Sequence, residues 1–256
     1  MKNIVISAII AIILTASAAG APDIALATAE AIIIKSFPVE TLCANGFVKL
    51  AGIGDKHNPE RGVVTLDTLT GAAAKGDIRK VRELVARGII EDTAEVLGEA
   101  LLIAVSAKNI ELARALIECG ADVNTRGTMG ITPLICSTSS YELDITKMLM
   151  EKGAAVNGRN AFGMTALMCA AGKNDYDTVK YLIEKGANPD IQADDNGINA
   201  VMVATGKGYC KIVELLAKSG ANVNARAYNG RTAMMLAEQY KFTDIMKVLK
   251  DAGAKE

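Results

Sequence analysis

Apolar positions follow one pattern that recurs along most of the chain. After Leu167, the residues Met168-Cys169-Ala170-Ala171 form a small apolar run that stops near Asn174; Val179, Leu182 and Ile183 then fall at i, i+3 and i+4. The run predicts a short helix, and the spacing predicts the apolar stripe of a second one. Val81, Leu84 and Val85 repeat the stripe early in the chain, and Val213 and Leu216 repeat it late. Each unit closes on a glycine: Gly88, Gly120, Gly153, Gly186, Gly220 and Gly253, at steps of 32, 33, 33, 34 and 33 residues. Nineteen residues before each of these stands an apolar residue, in order Leu69, Leu101, Leu134, Leu167, Val201 and Met234. A fixed period of this length predicts stacked helical repeats. The closing glycine suits the left-handed conformation that ends a helix. Asn157 to Gly163 carries Asn-Gly turn chemistry, which predicts a hairpin-like connector to the next pair.

Four copies share a fuller ending, as in Gly120-Ala121-Asp122-Val123-Asn124 and Gly220-Ala221-Asn222-Val223-Asn224, and three open on Thr132-Pro133-Leu134, Thr165-Ala166-Leu167 and Thr232-Ala233-Met234. On these motifs residues 65–256 resemble an ankyrin-repeat protein. The resemblance implies an all-α fold, a solenoid of about six stacked helix-turn-helix units with hairpin-like connectors. One departure stands out. The family usually has His after the Leu, and here that position holds Ile135, Met168, Met202 and Met235. The hydrogen bonds that His makes between neighbouring units are therefore expected to be missing, leaving apolar contact to do more of the work and the single repeats less rigid. The second copy also lacks the connector glycine, having Leu97 there and Gly98 one later. Its tip is expected to be remodelled.

One helix pair cannot bury its apolar face alone, whereas stacked copies share a continuous core whose stability is close to a sum of unit and interface terms. With Gly253 three residues from the end, the sixth copy is expected to be the C-terminal cap, its second helix showing Lys247, Lys250 and Asp251 to water.

The N-terminus has a different character. Met1-Lys2-Asn3 carries one positive charge, Ile4 to Leu14 is apolar, and Thr15-Ala16-Ser17-Ala18-Ala19 follows. This reads as a secretory signal, residues 1–18, with an Ala-x-Ala site favouring cleavage after Ala18. The competing reading is an uncleaved anchor, because the apolar span Ile4–Ala21 is 18 residues, the short limit for crossing a bilayer. No Cys stands near the site to receive a lipid. Residues 19–64 belong to no clear copy and read as an N-terminal segment, either a cap on the stack or a separate docking element.

Composition excludes more than it suggests. With 28 basic and 29 acidic residues and no basic stripe, neither a nucleic-acid partner nor a polybasic membrane patch is expected. The single histidine, His57, lies in a Pro/Gly-bounded loop, with Cys43 the nearest thiol in sequence; no oxyanion-hole motif accompanies them, so no catalytic residue is assigned. No C-x-x-C or H-E-x-x-H spacing is present, and Asp194-Asp195-Asn196-Gly197 lacks the alternating acidic pattern of a calcium loop, so neither metal nor cofactor is expected. Cys136 and Cys169 occupy one site in adjacent copies. Equivalent helices pack about 8–10 Å apart, whereas a disulfide needs Cα atoms within about 7 Å. They are read as small core residues. The pairing of Cys43 stays open.

In the family the chain resembles, partners contact the connector tips and the exposed side of the first helices, which line a concave face. Carried over by position, the candidate partner-binding residues are Met129, Ile131, Phe162, Met164, Asn196, Ile198, Tyr228, Arg231 and Tyr240. Several are apolar where a turn does not require it, and a line of them on one face suggests a contact surface. The alternative is that each packs against the next hairpin. Phe162, expected as an exposed ring at a tip, is the strongest single candidate. The expected function is a non-enzymatic scaffold of the bacterial cell envelope, periplasmic or secreted, with a protein partner and no stable membrane insertion once the signal is removed. The alternatives are a secreted effector engaging a host protein and, ranked lowest, an enzyme using the N-terminal segment.

Overall fold

The structure, a computed structural model, describes residues 66–86, 93–138 and 143–255. The expected signal, the segment 19–64 with His57 and Cys43, and Gly88 lie outside the described residues. Those that are described form twelve α-helices in six pairs. The pairs are α1 (Leu66–Ala74) with α2 (Ile78–Ala86), α3 (Thr93–Ser106) with α4 (Ile110–Glu118), and α5 (Pro133–Thr138) with α6 (Leu143–Glu151). Then follow α7 (Ala166–Gly172) with α8 (Tyr176–Glu184), α9 (Ala200–Gly206) with α10 (Cys210–Lys218), and α11 (Ala233–Gln239) with α12 (Thr243–Asp251). First helices pack in the order α1, α3, α5, α7, α9, α11, and second helices in the order α2 to α12, each on its own neighbours. Among the described residues there is no β-strand, only an isolated antiparallel bridge between Arg159 and Thr165 inside one connector. The solenoid of six units is thus as the repeat pattern implied.

Local chemistry explains where each helix starts and stops. The hydroxyls of Thr132, Thr165 and Thr232 accept hydrogen bonds from the N–H groups of Ile135, Met168 and Met235, capping α5, α7 and α11. Asn199 does the same for Met202 in α9. An N-cap of this kind satisfies one of the orphan donors of the first turn. At the far end of the second to sixth pairs the closing glycine is left-handed, as at Gly120 (φ 99°) and Gly186 (φ 86°). The next N–H reaches back to the last turn, Ala121 to the Leu116 carbonyl at 3.0 Å and Ala187 to that of Leu182 at 2.9 Å. This double closure is the Schellman arrangement, in which a Cβ at the glycine would be strained.

The position that replaces the expected histidine is a packing site. Ile135 is fully buried, Met168 is 1% exposed and Met202 2%, while Met235, which has no copy stacked beyond it, is 40% exposed. Apolar contact does not act alone, however. Asn124 receives the Ala155 N–H at 2.7 Å and donates to the Gly153 carbonyl at 3.2 Å. Asn157 bonds Asn188 and Gly186 of the following copy in the same way, and Asn224 bonds Lys255 and Gly253. Asp190 receives the Asn222 N–H at 2.7 Å. The histidine position is apolar and buried as expected, and beside it a ladder of Asn and Asp side chains that the sequence reading did not anticipate joins each of these copies to the next.

The second copy departs as its missing glycine suggested. Helix α3 runs for 14 residues through the position where later copies have a connector, and Leu97 is buried within it. Gly98 lets the helix lie against the following copy, since a Cβ there would come within 2.3 Å of the Thr125 hydroxyl. On the sixth copy Lys247, Lys250 and Asp251 are exposed.

These contacts yield a paired prediction. Met168→Asp buries an uncompensated charge between copies and should cost about 3–5 kcal/mol, whereas Met235→Asp, at the equivalent but open position, should cost less than about 1 kcal/mol. Denaturant titrations followed by circular dichroism measure both. Similar losses at the two positions would mean that the repeat register is wrong.

Candidate functional site

The connectors that precede α5, α7, α9 and α11 share one construction. Backbone bonds close their bases, from Asn160 to the Met164 carbonyl at 3.0 Å, Ala193 to Ile198 at 2.8 Å and Ala227 to Arg231 at 2.9 Å. A left-handed glycine turns each tip: Gly130, Gly163, Gly197 and Gly230, with φ between 67° and 79°. In the third copy Met129 shares that conformation at φ 58°. A short polar side chain reinforces the turn in several copies. Asn160, buried at the base, accepts from both Phe162 and Met164 at 2.9 Å, and Asn196 and Asn229 accept from Ile198 and Arg231.

Successive tips are tied by single backbone hydrogen bonds. Ala161 donates to the Met129 carbonyl at 2.8 Å, Asp194 to Phe162 at 2.8 Å and Tyr228 to Asn196 at 3.0 Å. A second row runs beside the first, through side chains. Arg126 donates to the Arg159 carbonyl at 2.7 Å, Arg159 to that of Gln192 at 2.8 Å, and Gln192 to that of Arg226 at 2.8 Å. Arg159 also meets Asp194 at 2.8 Å, an ion pair too wet to stabilise much. The two rows place Met129, Phe162, Asn196 and Tyr228 along one line.

Within that line the candidate residues separate into two groups. Met129, Ile131, Phe162, Met164 and Ile198 are half-buried. Asn196, Tyr228, Arg231 and Tyr240 are exposed, and Tyr228 at 66% and Tyr240 at 50% are the most open large hydrophobic residues among the described residues. The expectation that Phe162 is a fully exposed ring is therefore corrected. Its carbonyl is taken by the Asp194 N–H of the next connector. Tyr228 lies against the preceding tip, where a Cβ on Gly197 would fall 2.5 Å from its ring. Arg231 extends along α11 to donate to the Gln239 side chain, and Tyr240 stacks on Phe242 with centroids 5.7 Å apart. These bonds bring Tyr228, Arg231 and Tyr240 to the connector and first helix of the last copy.

Sequence reasoning overlooked Asn160, which closes its own turn, and the side chains that tie the tips in register, Arg126, Arg159 and Gln192. Their signal was present, because a long donor side chain recurs six residues after Gly120, Gly153, Gly186 and Gly220, at 126, 159, 192 and 226. Among the described residues no group of three or more His, Cys, Asp or Glu could hold a metal ion. Burial pushes the Cys210 thiol up, and the charges of Asp244 and Glu214 push it the same way, which disfavours the thiolate a nucleophile needs. Cys119, Cys136, Cys169 and Cys210 all carry thiols; Cys136 is buried as expected of a core residue, whereas Cys169, expected there too, is only half-buried. No described helix is long and apolar enough to cross a membrane.

Comparison with known proteins places this geometry. A family profile described as "Ankyrin repeats (3 copies)" matches residues 101–193 and 189–256. The crystal structure of an ankyrin repeat domain from Acinetobacter baumannii AYE is similar, with 33% sequence identity and a TM-score of 0.67, covering 75% of this chain and 100% of that one. None of the curated proteins matches.

The tip glycines make different demands, and this can be measured. At Gly230 nothing lies within 4 Å of an added Cβ, so Gly230→Ala should cost only the left-handed strain of about 1–2 kcal/mol. At Gly197 the same strain adds to a collision with the Tyr228 ring and its backbone nitrogen. Gly197→Ala should therefore lower the melting temperature further than Gly230→Ala. Equal shifts would refute the close packing of the two tips.

Proposed function

The chain belongs to the ankyrin-repeat family, and from that premise we propose that it is a non-enzymatic scaffold of the bacterial cell envelope, holding a protein partner on the face made by its connector tips and first helices. The observation that carries this reading is the row of connector tips tied in register, ending in two widely exposed tyrosines, Tyr228 and Tyr240, beside Arg231. Tyr and Arg dominate the energetics of protein interfaces, and neither tyrosine is needed to close a turn. Met129, Ile131, Phe162, Met164, Asn196 and Ile198 extend the surface along the line, contributing shape where their side chains emerge. The bacterial setting accords with the Acinetobacter neighbour. The envelope setting rests on the N-terminal pattern, read as a signal of residues 1–18.

A partner captured from native extract by the full chain identifies the ligand. Exchanging Tyr228 and Tyr240 together for Ala should weaken that capture by roughly tenfold or more, about 1.4 kcal/mol, with the melting temperature nearly unchanged. Phe162→Ala, at a half-buried site, should lower the melting temperature as well. Capture unaffected by all three changes would move the site off this face. For export, N-terminal sequencing of material from the periplasm or medium should find a chain beginning near Ala19. An intact Met1–Leu14 stretch in the membrane fraction would contradict it.

A further inference from the structure

Three Asn-Gly pairs lie among the described residues: Asn157-Gly158, Asn196-Gly197 and Asn229-Gly230. Their glycine nitrogens start alike. Gly158 donates to Ala155 at 2.9 Å, Gly197 to Ala193 at 2.9 Å and Gly230 to Ala227 at 2.8 Å. What distinguishes the pairs is the asparagine side chain and the space around the glycine. Asn157 is held at both ends by the following copy, donating to the Gly186 carbonyl at 3.3 Å and accepting from Asn188 at 2.8 Å. Asn196 accepts from Ile198, and the glycine after it is buried against the Tyr228 ring. Asn229 has only the Arg231 N–H, at 3.1 Å, and both it and Gly230 are exposed, with nothing within 4 Å of a Cβ at the glycine.

We propose that Asn229 is a site of spontaneous deamidation, a modification that converts the last connector tip from neutral to acidic, and that Asn157 is protected by its place in the ladder between copies. The backbone nitrogen of Gly230 attacks Cγ of Asn229. A new N–Cγ bond forms and the Cγ–Nδ2 bond breaks; the nitrogen's proton leaves with the departing ammonia. The five-membered succinimide that results is opened by one water at either carbonyl, giving aspartate or isoaspartate. No electron is gained or lost. Glycine favours the step because it brings no Cβ into the path of ring closure. Asn157 cannot turn its Cγ towards Gly158 without releasing both bonds to the next copy.

The charge arrives at a basic place. Arg226 donates to the Gly230 carbonyl at 3.1 Å, and Arg231 donates through its side chain to Gln239. Neither guanidinium meets a carboxylate among the described residues. A carboxylate at position 229 therefore partly neutralises this tip, and the isoaspartate form adds a methylene to its backbone. The modification would act as a one-way change in the electrostatics of the surface, whatever the partner that surface serves.

The test is incubation of the folded full-length protein near neutral pH, with peptide mapping by mass spectrometry at intervals and a parallel sample kept unfolded in urea. In the folded protein Asn229 should convert about tenfold faster than Asn157, the factor expected when one more hydrogen bond must be released before ring closure. In urea the two rates should converge. Asn229→Gln should remove the acidic form seen by ion exchange, and Asn229→Asp should reproduce it. Conversion of Asn157 as fast as Asn229 in the folded chain would overturn the proposal. So would an Asn229 that stays intact in the folded chain while it converts in urea.

Discussion

Everything in this molecule depends on the contact between one helix pair and the next. A pair such as α7 and α8 has apolar residues on more surface than it can hide by itself, because α7 is only seven residues long and rich in alanine. Its neighbours supply the missing cover. Ala166, Leu167, Met168, Ala170 and Ala171 are all buried, and the equivalents in α9 are buried by α7 and α11 in turn. Small residues let the helices approach, and the methionines fill what remains with an adaptable thioether chain. Met235 shows the same position without that cover. Its 40% exposure marks how much of the burial at Met168 comes from the neighbour alone.

Polar bonds then set the register that apolar contact leaves loose. Three rows run from copy to copy: the Asn and Asp side chains at 124, 157, 190 and 224, the long donors at 126, 159 and 192, and the backbone bonds from tip to tip. Each row repeats because the sequence does. A side chain that reaches the next copy at one position reaches it at the equivalent position in the others. The candidate binding face is a product of this register, since tips that slipped past one another would not bring Tyr228, Arg231 and the carbonyl of Asn196 together.

Much of the fold was legible in the chain. The closing glycines, the threonines that open three of the units and the apolar residue nineteen positions upstream are local signals with local causes. Leu97 in place of a connector glycine correctly marked the copy whose first helix runs on. The site was less legible. Phe162 and Tyr228 both stand at connector tips, yet one is half-covered and the other largely open. Exposure in a stack is set by the neighbouring copies as well as by the segment itself, so the sequence of one tip does not reveal it. The polar ladder was missed for a related reason. Asn124 and its equivalents served as markers of the period, while their partners, 29 to 32 residues further on, are found only when the copies are stacked.

Stability in this array passes between adjacent copies and not across it. Double-mutant cycles among Ile135→Ala, Met168→Ala and Met202→Ala, read by denaturant titration, test it most directly. Adjacent pairs, Ile135 with Met168 and Met168 with Met202, should show coupling of about 0.5 kcal/mol or more. The pair two copies apart, Ile135 with Met202, should be additive within about 0.5 kcal/mol. Coupling between the distant pair as strong as that between neighbours would contradict the account.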